Sequence, residues 1–232
     1  MAADDHSASS ERFYGRRRGK TLRALQVDHI ERDLPALAID IERDLAPPLD
    51  ALFAIPVRAI RLEIGFGSGE HLVAQAQAHS DIGYIGAEAF LNGVATATAA
   101  VTARGLQNVR LYGDDVLPLL DRLPAASLDR VDLLYPDPWP KRRHWKRRFV
   151  RPANLDRLAR IIASGGHFRF ATDVEDYAAW TLRHMLADER FDWTARRASD
   201  WREPWPGWPG TRYEAKALRE GRTPGYFEFR RR

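Results

Sequence analysis

Five carboxylates, Glu63, Glu88, Asp114, Asp137 and Asp173, each stand at or just after the end of an apolar run. A single acid in such a place is ordinarily a turn residue or a helix N-cap. Asp115, which opens a helical stretch beside Asp114, reads that way. Five in succession read differently, because ligands of open α/β sheets bind outside the carboxyl ends of the strands. The first acid belongs to "LEIGFGSGE", where Gly65, Gly67 and Gly69 join a strand to a helix. Glycine serves where the chain turns sharply and a ligand approaches the backbone. The spacing is G-x-G-x-G and not the dinucleotide pattern G-x-G-x-x-G, and an acid precedes the first glycine. Such a rim repels phosphate groups. It suits ribose hydroxyls, the amino edge of an adenine, and a cation.

A second constellation lies in "LLYPDPWPKRRHWKRRFV", which follows Asp132. Its prolines stiffen a strand end. Trp139 offers a face for stacking on a base, and Asp137 can accept from the N–H groups of a purine or help hold a donor cofactor in line. Lys141, Arg142, Arg143, Lys146, Arg147 and Arg148 follow at once. Phosphate contacts of that kind supply register and affinity, while base contacts supply choice. Further basic clusters occupy residues 16–20 and 230–232. The bland alternatives are a solvated basic loop and, with seven tryptophans in the chain, a core role for Trp139.

These residues need a scaffold, and the pattern supplies one. "AIRLEIG", "IGYIGAE", "NVRLYGD", "LDRVDLLYPDP" and "HFRFATD" read as strands. "GEHLVAQAQAHS", "LNGVATATAAVTARG", "DVLPLLDRL", "ANLDRLARIIASGG" and "VEDYAAWTLRHMLADE" read as helices, two of them stopped by glycine. Strict alternation predicts an α/β fold with a mostly parallel, doubly wound sheet. "TRYEAKALREGR" is polar and helix-like. "GYFEFRRR" alternates, which predicts an antiparallel edge strand closing the sheet. "TLRALQVDHIERDL" is either a short helix or irregular. Residues 1–20 are small and polar and then basic, which suggests a disordered arm. Residues 21–232 read as a single domain.

The 232 residues are 44% hydrophobic and 29% charged, with a net charge of +4, as in an ordinary globular protein. Cysteine is absent, which excludes disulfides, thiol catalysis and thiolate-bound metals. His71, His144 and His167 have no metal-ligand spacing, so no metal is expected. No apolar run is long enough to span a membrane, and the N-terminus lacks the apolar core of a secretory signal. A cytoplasmic location is the expectation. Monomer and homodimer both stay open.

The order "LEIGFGSGE", "GAEAF", "GDD", "YPDPW" resembles a class I S-adenosylmethionine-dependent methyltransferase with a Rossmann-like fold. "PDPWPKRRHWKRR", "ATDVEDY" and "TRYEAKALREGR", with the preceding "RFYGRRRGK", resemble the bacterial tRNA (guanine-N7-)-methyltransferase family from about Glu11 onward. The resemblance implies methyl transfer to N7 of guanine 46 in the variable loop of tRNA. It implies that Glu63, Glu88, Asp114 and Asp137 contact S-adenosylmethionine beside the three glycines, and that Asp137 is catalytic. Lys141, Asp173 and the run Thr211, Arg212, Tyr213 and Glu214 would contact substrate. The basic run would meet tRNA phosphates. Three rivals stay open: methylation of an exocyclic amine, an RNA-binding module with a degenerate cofactor site, and, more distantly, a nicotinamide dehydrogenase.

Overall fold

The computed structural model describes Gly15, Arg17 and residues 19–232. The suggested disordered arm of residues 1–20 lies largely outside the described residues. Aliphatic runs form β1 (Ala59–Ile64), β2 (Ile82–Ala87), β3 (Val109–Tyr112), β4 (Leu128–Leu134) and β5 (Ile162–Thr172). β2 is buried at every position, as expected of a parallel strand covered on both faces. The tail adds β6 (Phe191–Trp193) and β7 (Gly225–Arg231). The sheet order is β3-β2-β1-β4-β5-β7-β6. β1 to β5 run parallel, and β7 is antiparallel to β5 and β6. The α/β fold with an antiparallel C-terminal strand is therefore as the sequence indicates.

Two details differ. β7 is not the edge. The short β6 lies outside it, too brief to leave a periodic signature. Phe168 faces Phe229 and Phe170 faces Phe227 across the β5–β7 pair, so cross-strand aromatic contacts hold β7 inside the sheet. The glycines of "ASGG" also do not stop a helix. That helix ends at Ile161, and β5 takes up the glycines in a register shift opposite Leu128 and Arg130.

The helices are α1 (Ala24–Asp28), α2 (Leu34–Leu37), α3 (Glu70–Ala78), α4 (Leu91–Ala103), α5 (Val116–Arg122), α6 (Pro152–Ile161), α7 (Glu175–Leu186), α8 (Ser199–Arg202) and α9 (Arg212–Arg219). A π-helical turn, His29–Asp33, makes α1 and α2 nearly continuous. That stretch packs through Ile30, Leu34 and Leu37 onto a core of Phe66, Leu72, Val94, Ala97 and Leu111. A second core gathers Leu62, Val131 and Phe168 with Leu117, Leu155 and Tyr177 of α5, α6 and α7. Because β1 to β5 are parallel, the segments that follow them emerge along one edge of the sheet. The candidate residues lie there.

Candidate active site

A cleft of about 330 Å³ opens at that edge, lined by Gly65, Gly67, Glu88, Tyr135, Asp137 and Tyr213 among others. A niche of about 40 Å³ shares Gly65 and Glu88 with it and extends to Asp114 and Asp115. Among the described residues, no lysine or arginine lines either space. Gly67 adopts φ = 59°, in the left-handed region that glycine occupies without steric cost. The first turn of α4 presses on this loop. A Cβ on Gly93 would sit 2.1 Å from the Gly67 carbonyl oxygen, so α4 approaches only because position 93 has no side chain.

The five acids meet different fates. Glu88 bridges the loop: its Oε2 accepts from the Gly67 N–H at 2.9 Å and its Oε1 from the Phe90 N–H at 2.8 Å. Burial raises its pKa above the ordinary carboxylate value against those two bonds, and the charge of Asp137 adds to the rise. Asp137 lines the cleft with its surface open to solvent, and partial desolvation by the cleft walls raises its pKa as well. Asp114 accepts from Arg17 at 2.5 Å and from the Asp115 N–H at 2.7 Å. Asp115 caps α5 by accepting from the Leu117 N–H at 3.0 Å, the cap role its position indicates. Glu63 is buried away from the lining. Its Oε2 meets His71 Nδ1 at 2.7 Å beneath the glycine loop. Asp173 is mostly buried and forms an ion pair with Arg222.

The C-terminal run lies over the glycine loop. Thr211 caps α9, its Oγ1 accepting from the Glu214 N–H at 3.0 Å. Arg212 pairs with Glu70 in the first turn of α3. Tyr213 is half exposed in the cleft, its ring 3.6 Å from where a Gly67 Cβ would stand. Glu214 is buried. It accepts from Trp208 Nε1 at 2.9 Å and from the Tyr226 hydroxyl. Of these four, Tyr213 alone lines the cleft. Glu214 holds the "WPGW" segment, α9 and β7 together.

The basic run divides. Lys141, Arg142, Arg143 and Lys146 are exposed around a 3-10 turn, Arg142–Arg147. Arg147 covers the Trp139 ring at 4.7 Å from its centroid, and His144 meets that ring edge-on at 5.7 Å. Trp139 is therefore packed under its own loop and does not line the cleft. The aromatics that line the cleft are Phe90, Tyr135 and Tyr213. Arg148 is a correction to the phosphate assignment. Its side chain is 0% exposed, which no phosphate contact permits. The cluster 230–232 is engaged by neighbouring groups, although Arg230 and Arg232 stay exposed. Arg230 and Arg232 pair with Asp192, and Arg231 donates to the Ala159 carbonyl.

A family model described as "Putative methyltransferase" matches residues 57–224. The tRNA (guanine-N(7)-)-methyltransferase of Chelativorans sp. (strain BNC1) is 54% identical over 229 residues, 99% of either chain. That of Agrobacterium fabrum (strain C58 / ATCC 33970) is 53% identical over 232 residues, 100% of either chain. The chain belongs to the bacterial tRNA (guanine-N7-)-methyltransferase family. It is an enzyme of that family. A solved S-adenosylmethionine-dependent O-methyltransferase from Thermotoga maritima shares the fold at 14% identity and a TM-score of 0.50, over 90% of this chain and 71% of its own.

Several features of the site in this family member escape a reading of the sequence. Gly93 sits inside a helical pattern and shows its purpose only through its contact with Gly67. Tyr135 and Trp139 flank Asp137 with φ of 50° and 43°. Side chains rarely adopt that region, at a cost of about 1–3 kcal/mol each, and the paired prolines of "YPDPW" are the only hint. Arg17 approaches Asp114 across 97 positions, a partner no local pattern reveals.

The Glu63–His71 pair carries a testable pH signature. Burial alone would lower the His71 pKa, but the charge and hydrogen bond of Glu63 overcome this and raise it above 6.5. A raised histidine contributes stability that is complete below its unfolded pKa and is lost as pH rises through the folded value. Thermal unfolding should therefore show Tm falling as pH rises above about 6.5. His71→Gln should flatten that limb. An unaltered pH dependence would remove the pair from this role.

Proposed function

We propose that the protein transfers a methyl group from S-adenosylmethionine to N7 of guanine 46 in the variable loop of tRNA. One observation carries the reading. Glu88 and Asp137 line the cleft, Glu88 and Asp114 line the niche beside it, no described lysine or arginine lines either, and the chain belongs to a family named for methyl transfer to guanine N7 of tRNA. The donor set fits the cofactor. Acceptors suit ribose hydroxyls and a sulfonium, and glycines let a ligand lie against the backbone. When bound, S-adenosylmethionine supplies an electrophilic methyl group.

The remaining roles belong to the chain. Glu88 holds the ribose while clasping the glycine loop. Asp114 takes the adenine edge. Asp137 accepts from the N1–H and amino group of guanine and favours the positive charge that develops on the ring. N7 bears a lone pair and no proton, so no general base is required. Alignment does the work, worth roughly 7–11 kcal/mol in favourable cases. Glu63 acts from beneath the loop through His71. Asp173 reaches substrate only by exchanging Arg222 for it. Tyr213 lines the guanine side, with Thr211 and Arg212 at the helix end above it and Glu214 fixing that end, while Lys141 meets substrate from the exposed start of the 3-10 turn, outside the cleft.

Residues 21–232 act as one methyltransferase domain, and residues 1–20 as a basic N-terminal arm, of which Gly15 and Arg17 reach the cofactor niche. No described helix is long and apolar enough to cross a membrane, which is compatible with work in the cytoplasm. No cluster of three or more metal-binding side chains occurs among the described residues, and the mechanism invokes none. Incubation with labelled S-adenosylmethionine and unmodified tRNA, followed by nucleoside mapping, tests the reading. Label in 7-methylguanosine at position 46 is the expected result. Label on adenine N6, or cofactor binding without transfer, would overturn it.

Arg142, Arg143 and Lys146 are assigned to tRNA phosphates, with Arg147 beside them on Trp139. Replacing the first three with alanine should weaken tRNA binding and leave cofactor affinity unchanged. The log–log salt slope should become shallower by about 0.7–0.9 for each phosphate no longer neutralised. Filter binding between 50 and 200 mM salt (roughly the range over which such contacts act) measures it. An unchanged slope would make this turn a solvated loop.

A further inference from the structure

We propose that Arg148 is a positioning residue for the methyl transfer, holding the Asp137 loop against α7. This rests on the reading of Asp137 as catalytic. Arg148 Nε donates to the carbonyl of Pro138, the residue after Asp137, at 2.9 Å. Its Nη2 pairs with Asp176 in the first turn of α7. Three rings surround the guanidinium, with centroids of Trp145, Tyr177 and Trp180 at 5.1, 5.0 and 5.1 Å. The charge is thus kept inside an aromatic cage with one anion and one carbonyl.

The arrangement is costly unless it does something. Burying a charge without full pairing is unfavourable, and apolar side chains of similar volume are often as stable as a buried ion pair. Nη1 of Arg148 is buried with no hydrogen-bond acceptor among the described residues. What an apolar residue could not supply is a rigid fork that reaches two elements at once. The neighbouring residues already tie this segment to α7. The Phe149 N–H donates to the Tyr177 hydroxyl at 3.0 Å, and Trp180 Nε1 donates to the Val150 carbonyl at 2.6 Å. Arg148 is the one of the three whose side chain reaches back to the Asp137 loop. The peptide it grips leads into Trp139, whose φ of 43° needs an external hold. α7 begins just after Asp173, so Arg148 also sets the separation between the two acids on the guanine side.

A mutant cycle tests this. Arg148→Lys keeps the charge but loses the fork, and Arg148→Met fills the cage without charge. Single-turnover transfer at saturating tRNA and cofactor should fall up to about 100-fold in either, the size expected of a displacement near 1 Å. Arg148→Lys should retain the larger share. The tRNA Kd and its salt slope should not change, because Arg148 meets no phosphate. In combination with Asp137→Asn, the loss should not multiply, since Arg148 acts through Asp137. Multiplicative losses, or a shallower salt slope, would overturn the proposal while leaving Asp137 in place. A fully active Asp137→Asn would instead overturn the reading on which it rests. If the Arg148 variants fail to fold, Asp176→Asn takes their place in the same cycle. Asp176 is 56% exposed, so the fold tolerates its loss. A multiplicative loss there would likewise overturn the proposal.

Discussion

Replacing Glu88 with alanine should weaken S-adenosylmethionine binding about 10- to 140-fold, the equivalent of the roughly 1.5–3 kcal/mol for a hydrogen bond to a charged group. The carboxylate at the end of β2 has two tasks. It is the acceptor proposed for ribose, and it also clasps the glycine loop through the N–H groups of Gly67 and Phe90. Glu88→Gln separates the two. An amide can accept through its oxygen only, so one backbone N–H then faces an NH2 group. Its affinity should therefore fall at least as far despite the retained shape. The raised pKa of Glu88, caused first by burial, adds a pH signature. Binding uses the anion, so affinity should decline as pH falls, beginning above the ordinary carboxylate value of 4.5. Calorimetry from neutral to mildly acidic pH measures both. Unchanged affinity in the alanine variant would remove Glu88 from the cofactor site.

The strand ends are legible in the sequence because two independent patterns coincide there: apolar runs alternate with helical periods, and an acid closes each run. Partners distant in sequence are not legible. Glu214 reads as a polar helix residue, yet Trp208 and Tyr226 make it a buried acceptor. Within the basic run, charge alone makes Arg142 and Arg148 equivalent. The 3-10 turn separates them. Residues three apart share a face in that geometry, so Arg142, Trp145 and Arg148 fall in line. Arg142 lies 5.8 Å from the Trp145 centroid on one side, and Arg148 is driven into the core on the other. A period of three in "RRHWKRR" is the available signal, and it is too short to distinguish from a solvated loop. The packing of Trp139 is hidden for a related reason. Stacking on a base needs a free face, and Arg147, further along the same loop, covers one.

The Asp137→Asn variant should lose turnover by about 100- to 1000-fold, the range seen when a preorganised electrostatic contact to a transition state is removed. Fold and tRNA affinity should be largely kept. Asparagine matches aspartate in size, and the adjacent carbonyl, not the Asp137 carboxylate, is what Arg148 grips to hold the loop. What disappears is a negative charge beside a ring that becomes cationic as the methyl arrives. The pH profile distinguishes this from general-base catalysis. Partial desolvation by the cleft walls raises the Asp137 pKa above 3.8, so the wild-type rate should climb as pH rises through that raised value and then stay level across neutrality. Asp137→Asn should lack the acidic limb. Single-turnover transfer at saturating tRNA and cofactor, followed against pH for both proteins, decides it. A fully active asparagine variant would end the catalytic assignment. A wild-type rate that still depends on a group titrating near neutrality would mean a proton is being removed, which guanine N7 does not carry and alignment alone does not require.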